Sequence, residues 1–226
     1  MSASLPPLSR LRRATTTRRV LVGCGLLSLL AAWLGPLPAL AQHSFAAHMA
    51  MHMTVVAVAA PLLAIGLAGS AADPVLRASR VFSPMLAAVL EFMVVWSWHA
   101  PLLHHAARDA LAMRVLEQGS FLLVGLWLWL AAFGGGAHRS RERTAAGIGG
   151  LLLTSMHMTL LGVLLAGAPR ALYAHAHATA SATSALQDQQ LGGVLMLAVG
   201  GSVYLGGALL LLAGLLRDRG DGARNA

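Results

Sequence analysis

The sequence predicts an all-α protein, a bundle of helices that crosses a lipid bilayer several times. Of its 226 residues, 57% are hydrophobic and 11% are charged, whereas a soluble domain carries roughly 25% charged residues. The hydrophobic residues are gathered in runs of about 20, the length of helix that crosses the ~30 Å hydrocarbon core of a membrane. So little polar surface excludes a water-soluble fold.

The first apolar run, residues 20–41, follows a basic tail that holds five arginines. It ends in Ala-x-Ala at residues 39–41, directly before Gln42, and this small-residue pattern is typical of a signal-peptidase site. Residues 1–41 are therefore predicted to be a signal peptide. The alternative is an uncleaved first span, because the run is also long enough to cross the membrane.

Five further spans are predicted, at about residues 46–69, 81–103, 115–136, 145–168 and 191–216. They make residues 42–216 a single transmembrane helical bundle, followed by a short tail at 217–226. Glycine pairs within the spans indicate close packing, because small residues let helices approach one another. The single cysteine, Cys24, lies in the first run, which excludes both a disulfide framework and a CxxC metal motif.

The arginines predict the orientation of the bundle. All 16 basic residues are arginines; the two tails and two alternate loops hold 13 of them, and the other loops hold 3. The positive-inside rule places the 13 in the cytoplasm, so we expect a bacterial inner-membrane protein with a cytoplasmic carboxyl terminus. The net charge of +8 thus indicates topology, and no nucleic-acid partner is expected.

Histidines gather on the opposite, periplasmic side, and their densest cluster is His-Met-Ala-Met-His-Met at residues 48–53. On a helix His48 and His52 share one face, because residues four positions apart are neighbours. Met49 and Met53 share a face for the same reason. Thioether sulfur suits Cu(I) and imidazole suits copper or zinc, so this mixed edge favours copper. The alternative is that the methionines fill gaps in the bundle.

Other histidines are expected near this edge. The second mature span ends in Trp-Ser-Trp-His, and tryptophans mark a membrane interface, so His99 should lie at the depth of His48 and His52, with His104 just beyond. His157 is expected near the membrane centre. It should face the bundle interior, because an ionisable group is costly in hydrocarbon. There it either lies beneath the outer site or forms a hydrogen bond with a neighbouring helix.

Acidic residues are rare in the predicted spans, where only Glu91 and Glu117 are charged. Glu91 lies about two helical turns deeper than His99. It is expected to carry protons, to attract a cation or to form a structural hydrogen bond. Asp188 begins the last span, where a carboxylate favours the helix N-terminus. A place in a polar site is the alternative for Asp188.

These segments resemble the CtaG family of assembly proteins for caa-type cytochrome c oxidase, over roughly residues 46–216. The motifs that carry the resemblance are His-Met-x-x-His-Met at 48–53, Ala-Pro-Leu-Leu at 60–63, Trp-His-x-Pro at 98–101 and Asp-Gln-x-Leu-Gly-Gly at 188–193. One departure is Leu116-Glu117-Gln118, where Leu-Glu-His is expected. If that histidine is a ligand in relatives, its loss reshapes the site here.

The resemblance implies an assembly factor without a catalysed reaction. Its expected partners are cytochrome c oxidase subunits and periplasmic copper chaperones. The hypothesis for the site is a periplasm-facing copper centre with candidate ligands His48, Met49, His52, Met53, His99 and His157. Three alternatives stay open: a b-type haem protein ligated by opposed histidines, a copper transporter with His157 and Glu91 as stepping points, and a purely structural scaffold.

Overall fold

The computed structural model describes residues 8–136, 139–173 and 184–224. Within these ranges the secondary structure is helix joined by loops, with no strand, and the predicted fold class is confirmed. The helices are α1 (Leu8–Leu34), α2 (Leu37–Ala41), α3 (Phe45–Leu67), α4 (Pro84–Trp98), α5 (Pro101–Asp109), α6 (Leu111–Phe133), α7 (Arg141–Ala166) and α8, which joins Ala185–Leu195, Met196–Gly201 and Ser202–Arg224.

Long apolar helices make this chain a multi-pass membrane protein. The segments long and apolar enough to span a bilayer are Thr15–Leu34, Phe45–Leu67, Leu111–Phe133, Arg141–Ala166 and Ala185–Arg217. The bent pair formed by α4 and α5 passes the same test when it is taken as one span.

The second predicted mature span is broken where the sequence had indicated one helix over residues 81–103. The helix α4 ends at Trp98 after 15 residues, and α5 leaves it at an angle of 73°. Pro101 explains the break, because proline disfavours the helical conformation in the residue before it and lacks the N–H that would continue the helix. The bend carries His104, on α5, over the end of the bundle.

The helix α1 lies along α3. A Cβ atom added at Gly66 of α3 would lie 2.7 Å from Val22 Cγ2, and one added at Gly25 of α1 would lie 2.8 Å from Leu63 Cγ. Such close approach is what small residues permit in membrane helices. Cleavage of the leader, which would remove α1, stays a prediction.

The helices α7 and α8 approach each other closely at their glycines. A Cβ atom at Gly193 would lie 2.5 Å from the backbone nitrogen of Ala166 and 2.7 Å from Gly162 O. No side chain can occupy that space, because the obstacles are backbone atoms of the neighbouring helix. The glycine pairs of the sequence therefore bring α7 and α8 into backbone contact.

Two helices widen into π-helical turns where they face each other. These turns are Thr54–Ala59 in α3 and Met196–Gly201 in α8. The hydroxyl of Tyr204, just beyond the second turn, lies 3.3 Å from Val56 O in the first. Turns of this kind are often found at functional sites, and here they lie deeper in the bundle than the histidine cluster.

The bundle has two chemically different ends. At one end α3, α6 and α8 begin and α4 and α7 finish; we call it the histidine end, because it holds residues 48, 99 and 104. At the other end, buried Asp73 accepts hydrogen bonds from the backbone N–H groups of Gly69, Val75 and Gly135. This carboxylate joins the loop after α3 to the loop after α6.

Candidate metal centre

Three buried side chains meet at the histidine end: His48 of α3, His104 of α5 and Glu117 of α6. One ligand atom from each lies within 4.8 Å of the others, and the residues are 5%, 1% and 0% exposed. His48 Nε2 lies 3.2 Å from Glu117 Oε1. Two imidazoles and a carboxylate at these separations form a donor set suited to a transition-metal ion. We call these residues the three-ligand cluster.

The contact between His48 and Glu117 lacks the hydrogen bond of an ordinary ion pair. Although His48 Nε2 is close to Glu117 Oε1, that oxygen accepts no hydrogen bond from any described residue. His104 Nε2 is likewise buried without a hydrogen-bond partner in the described part of the chain. Buried polar atoms are nearly always satisfied, so Glu117 Oε1 and His104 Nε2 are candidate ligand atoms.

Asp188 fixes the start of α3 and thereby the position of His48. Its carboxylate reaches across from α8 and accepts hydrogen bonds from the Ser44 hydroxyl at 2.7 Å and from the backbone N–H groups of Phe45 and Ala46. The first N–H groups of a helix lack internal partners, and a negative charge there is stabilising. Asp188 lies in the first turn of its own helix and also accepts hydrogen bonds from the start of α3, so both of its oxygens are occupied outside the three-ligand cluster.

The next residue, Gln189, holds the loop that follows α7. Its Oε1 accepts a hydrogen bond from Leu172 N at 2.6 Å, and its Nε2 donates to Leu165 O at 3.4 Å. The Asp-Gln-Gln sequence therefore joins α8 to both α3 and α7. These hydrogen bonds fix the loop that carries Tyr173. The sequence did not indicate Tyr173 as a site residue.

Tyr173 closes the cluster from the side of α7. Its ring stacks on Phe45, with centroids 4.5 Å apart, and lies 4.5 Å from the His104 ring. Burial raises the pKa of Tyr173 to about 12, so the hydroxyl stays protonated. It donates a hydrogen bond to the backbone oxygen of His99 at 2.6 Å, which links the cluster to the bend between α4 and α5.

Gln118 occupies the position where the family resemblance leads one to expect histidine. Its Nε2 donates to Glu117 Oε2 at 3.2 Å, and its Oε1 accepts a hydrogen bond from Trp33 Nε1 of α1 at 3.4 Å. This amide therefore holds one oxygen of Glu117, while the other oxygen is directed toward His48. In this chain position 118 positions the carboxylate and ties it to α1.

A small cavity adjoins the three-ligand cluster, and its lining includes His48, Glu117 and Met51. Arg108 and Arg114 flank it. The Arg108 guanidinium donates to the backbone oxygen of Gln42, and Arg114 donates to that of Arg108 at 3.0 Å. The cavity therefore borders two of the three cluster residues.

The methionines of the 48–53 segment divide between two faces of α3. Met49 and Met53 face α8, because a Cβ atom added at Gly192 would lie 3.0 Å from Met49 Cγ and one at Gly200 would lie 3.3 Å from Met53 Sδ. They fill the contact between α3 and α8, as the gap-filling alternative expects. Met51 is the methionine beside His48 and Glu117, and its spacing of three residues from His48 was the available signal.

His52 and His99 form an inner pair one helical turn deeper than His48. Their ring centroids are 5.8 Å apart, and the His52 ring lies 3.9 Å from that of Phe121. His99 Nδ1 lies 2.7 Å from Val95 O, which leaves Nε2 as its available nitrogen. That atom and both nitrogens of His52 are buried without a hydrogen-bond partner among the described residues.

The remaining predicted site residues lie elsewhere in the bundle. His157 of α7 contacts Phe92, with ring centroids 5.3 Å apart, and is not part of the three-ligand cluster. Glu91 is fully buried; Tyr204 Oη lies 2.5 Å from its Oε1, and Thr154 donates to its Oε2 at 3.3 Å. Glu91 thus has the structural hydrogen bonds that were one of its predicted roles. The loop histidines 175 and 177 fall outside the described residues.

Comparison with known proteins gives one match. The family model described as cytochrome c oxidase caa3 assembly factor (CtaG) matches residues 6–218, nearly the whole chain. Searches of curated proteins and of solved structures gave no significant match. The matched range includes α1 and every residue of the three-ligand cluster and of the inner pair. The chain therefore belongs to the cytochrome c oxidase caa3 assembly factor family.

Proposed function

We propose that the protein assists formation of a caa3-type cytochrome c oxidase by holding copper at the histidine end of the bundle and passing it to the oxidase. The observation that carries the proposal is the three-ligand cluster, in which His48, His104 and Glu117 bring one ligand atom each within 4.8 Å. Family membership supports the assembly role. The role is one of binding and delivery, so no catalysed reaction is part of it.

Copper is the metal proposed because of the donor set. Imidazole nitrogen binds several transition metals, whereas thioether sulfur favours Cu(I). Met51 lines the same cavity as His48 and Glu117, so its thioether is a sulfur donor close to the cluster. The carboxylate supplies a negative charge, which offsets the cost of a cation in a buried site.

The proposed orientation turns the histidine end toward the periplasm of a bacterial inner membrane. The arginine-rich loops and tails lie at the other end, which the positive-inside rule assigns to the cytoplasm along with the carboxyl terminus. The partners are then oxidase subunits and periplasmic copper chaperones, which meet the protein at the cavity.

Copper binding by purified protein tests the proposal. Wild type and a His48→Ala, His104→Ala double variant are loaded with copper and desalted, and the bound metal is measured. His43→Ala is the matched control, because His43 is an exposed histidine at the same end. We expect the control to retain all the copper of wild type and the double variant to lose the copper that the three-ligand cluster holds. Equal copper in all three proteins, with equal helicity, would refute the site.

Oxidase formation in cells separates copper supply from scaffolding. We expect the double variant to lower oxidase activity and copper content, and we expect added copper to restore both in part. Normal oxidase formation by a variant that binds no copper would favour the scaffold. A Soret band in the spectrum of the purified wild type would instead identify a haem protein.

A further inference from the structure

The inner pair lies beneath the three-ligand cluster and is a separate set of ligand atoms. We propose that His52 and His99 bind a single Cu(I) ion between their imidazoles, and that this ion arrives from the three-ligand cluster. The inference rests on the proposed copper function and adds a second site to it. It requires no change in oxidation state, since Cu(I) moves from one set of ligands to the next.

The unpaired nitrogens are the first support for an inner site. A neutral imidazole has one N–H donor and one acceptor nitrogen, and leaving either unpaired in the interior costs free energy. His52 is 0% exposed, yet neither of its nitrogens has a partner among the residues described. An ion bound between His52 and His99 gives a partner to at least one unpaired nitrogen on each ring.

The orientation of His99 is the second support. Its Nδ1 lies 2.7 Å from Val95 O, and a carbonyl oxygen at that position accepts a hydrogen bond from Nδ1–H. The lone pair is then on Nε2, the nitrogen that is buried and unpartnered. Metal-binding histidines are commonly held in this way, with the second ring nitrogen donating to a backbone carbonyl.

The surroundings of the inner pair select a monovalent soft ion. The His52 ring lies 3.9 Å from the Phe121 ring, so an aromatic side chain covers one side of the pair. Two neutral imidazoles supply neither the four ligands that Zn(II) usually takes nor a negative charge to compensate a divalent cation. Cu(I) carries a single charge, and imidazole is a suitable ligand for it.

The path between the two sites follows one face of α3. His48 and His52 are four residues apart and therefore occupy the same face, with Cα atoms about 6 Å apart along the helix axis. His48 belongs to the three-ligand cluster, and His52 belongs to the inner pair. An ion can therefore leave one imidazole for the next by exchanging one ligand at a time.

Anaerobic Cu(I) titration against a coloured Cu(I) chelator tests the inner site. Three proteins are compared: wild type, an inner variant with His52→Gln and His99→Gln, and an outer variant with His104→Ala and Glu117→Gln. Glutamine keeps much of the buried volume, and helicity in detergent verifies folding. Should the inner variant misfold, His99→Gln alone is used, because His99 lies at the end of α4.

We expect two equivalents of Cu(I) in wild type and one in each variant. X-ray absorption of the loaded outer variant should show copper with nitrogen neighbours and no sulfur. Two equivalents in the inner variant would overturn the inference, as would an outer variant that binds none. An outer variant that binds no copper leaves the proposed function intact. If wild type binds one equivalent and only the inner variant loses it, the three-ligand cluster is refuted instead.

Discussion

Glu117→Gln is the substitution that most directly tests the charge of the three-ligand cluster. It removes the only carboxylate there and keeps the size of the side chain. Two opposite unit charges ~4 Å apart attract each other by about 4 kcal/mol at an effective dielectric constant near 20, or about a thousandfold in affinity. Glu117 is fully buried, so salt screens this attraction little.

The expected loss of Cu(I) affinity at the cluster is therefore about a hundredfold to a thousandfold, because the amide oxygen that replaces the carboxylate still offers a weaker ligand. Competition with a coloured Cu(I) chelator measures it. Glu142→Gln is the matched control, since it removes the same charge from an exposed position at the other end of the bundle. An affinity within about threefold of wild type for Glu117→Gln would refute the reasoning.

Other substitutions test the fold around the site. Asp188→Ala should lower the free energy of unfolding by about 1–2 kcal/mol, because the buried N–H groups of Phe45 and Ala46 lose their acceptor while Ser44 remains as the N-cap; an unchanged thermal midpoint in detergent would contradict this. Gly193→Ala should destabilise more than Gly125→Ala in the same assay, because the new Cβ meets backbone at 2.5 Å in the first and only a side chain at 3.5 Å in the second; equal midpoints would refute the comparison. Glu91→Gln should preserve the midpoint better than Glu91→Leu, because the amide oxygen can accept from Tyr204 and the amide NH2 can donate to the Thr154 hydroxyl; a lower midpoint for the glutamine variant would refute this. Mass spectrometry of protein extracted from membranes tests the predicted signal peptide: a chain that begins at Gln42 is the expected product, and a chain that still carries α1 would favour the uncleaved first span instead.

The apolar runs and the helical period predicted much of the molecule. The spans follow from hydropathy, and the common face of His48 and His52 follows from a spacing of four residues. The break at Pro101 was missed, because residues 81–103 were predicted as one span on hydropathy alone. The angle of 73° between α4 and α5 depends on how both helices pack, and no local pattern in the sequence contains it.

The residues that complete the site around His48 were harder to predict, because they come from distant parts of the chain. Glu117 was noticed as a rare charge within a span, but only the packing of α6 against α3 brings it to 3.2 Å from His48. Tyr173 lies in a loop without periodicity. Asp188 begins one helix and binds the start of another, and a sequence gives no sign of a contact made across 144 residues.

The two arginines beside the cavity have a kinetic consequence. Arg108 and Arg114 line the cavity beside the three-ligand cluster, and their positive charge would repel a bare cation that enters through it. Salt screens such repulsion, so uptake of free copper should become faster as ionic strength rises, and uptake from an anionic carrier should become slower. Stopped-flow measurement with both copper sources tests this, and identical salt dependence would rule it out. We therefore expect the cavity to exchange copper with an acidic copper-carrying surface more readily than it captures the free ion.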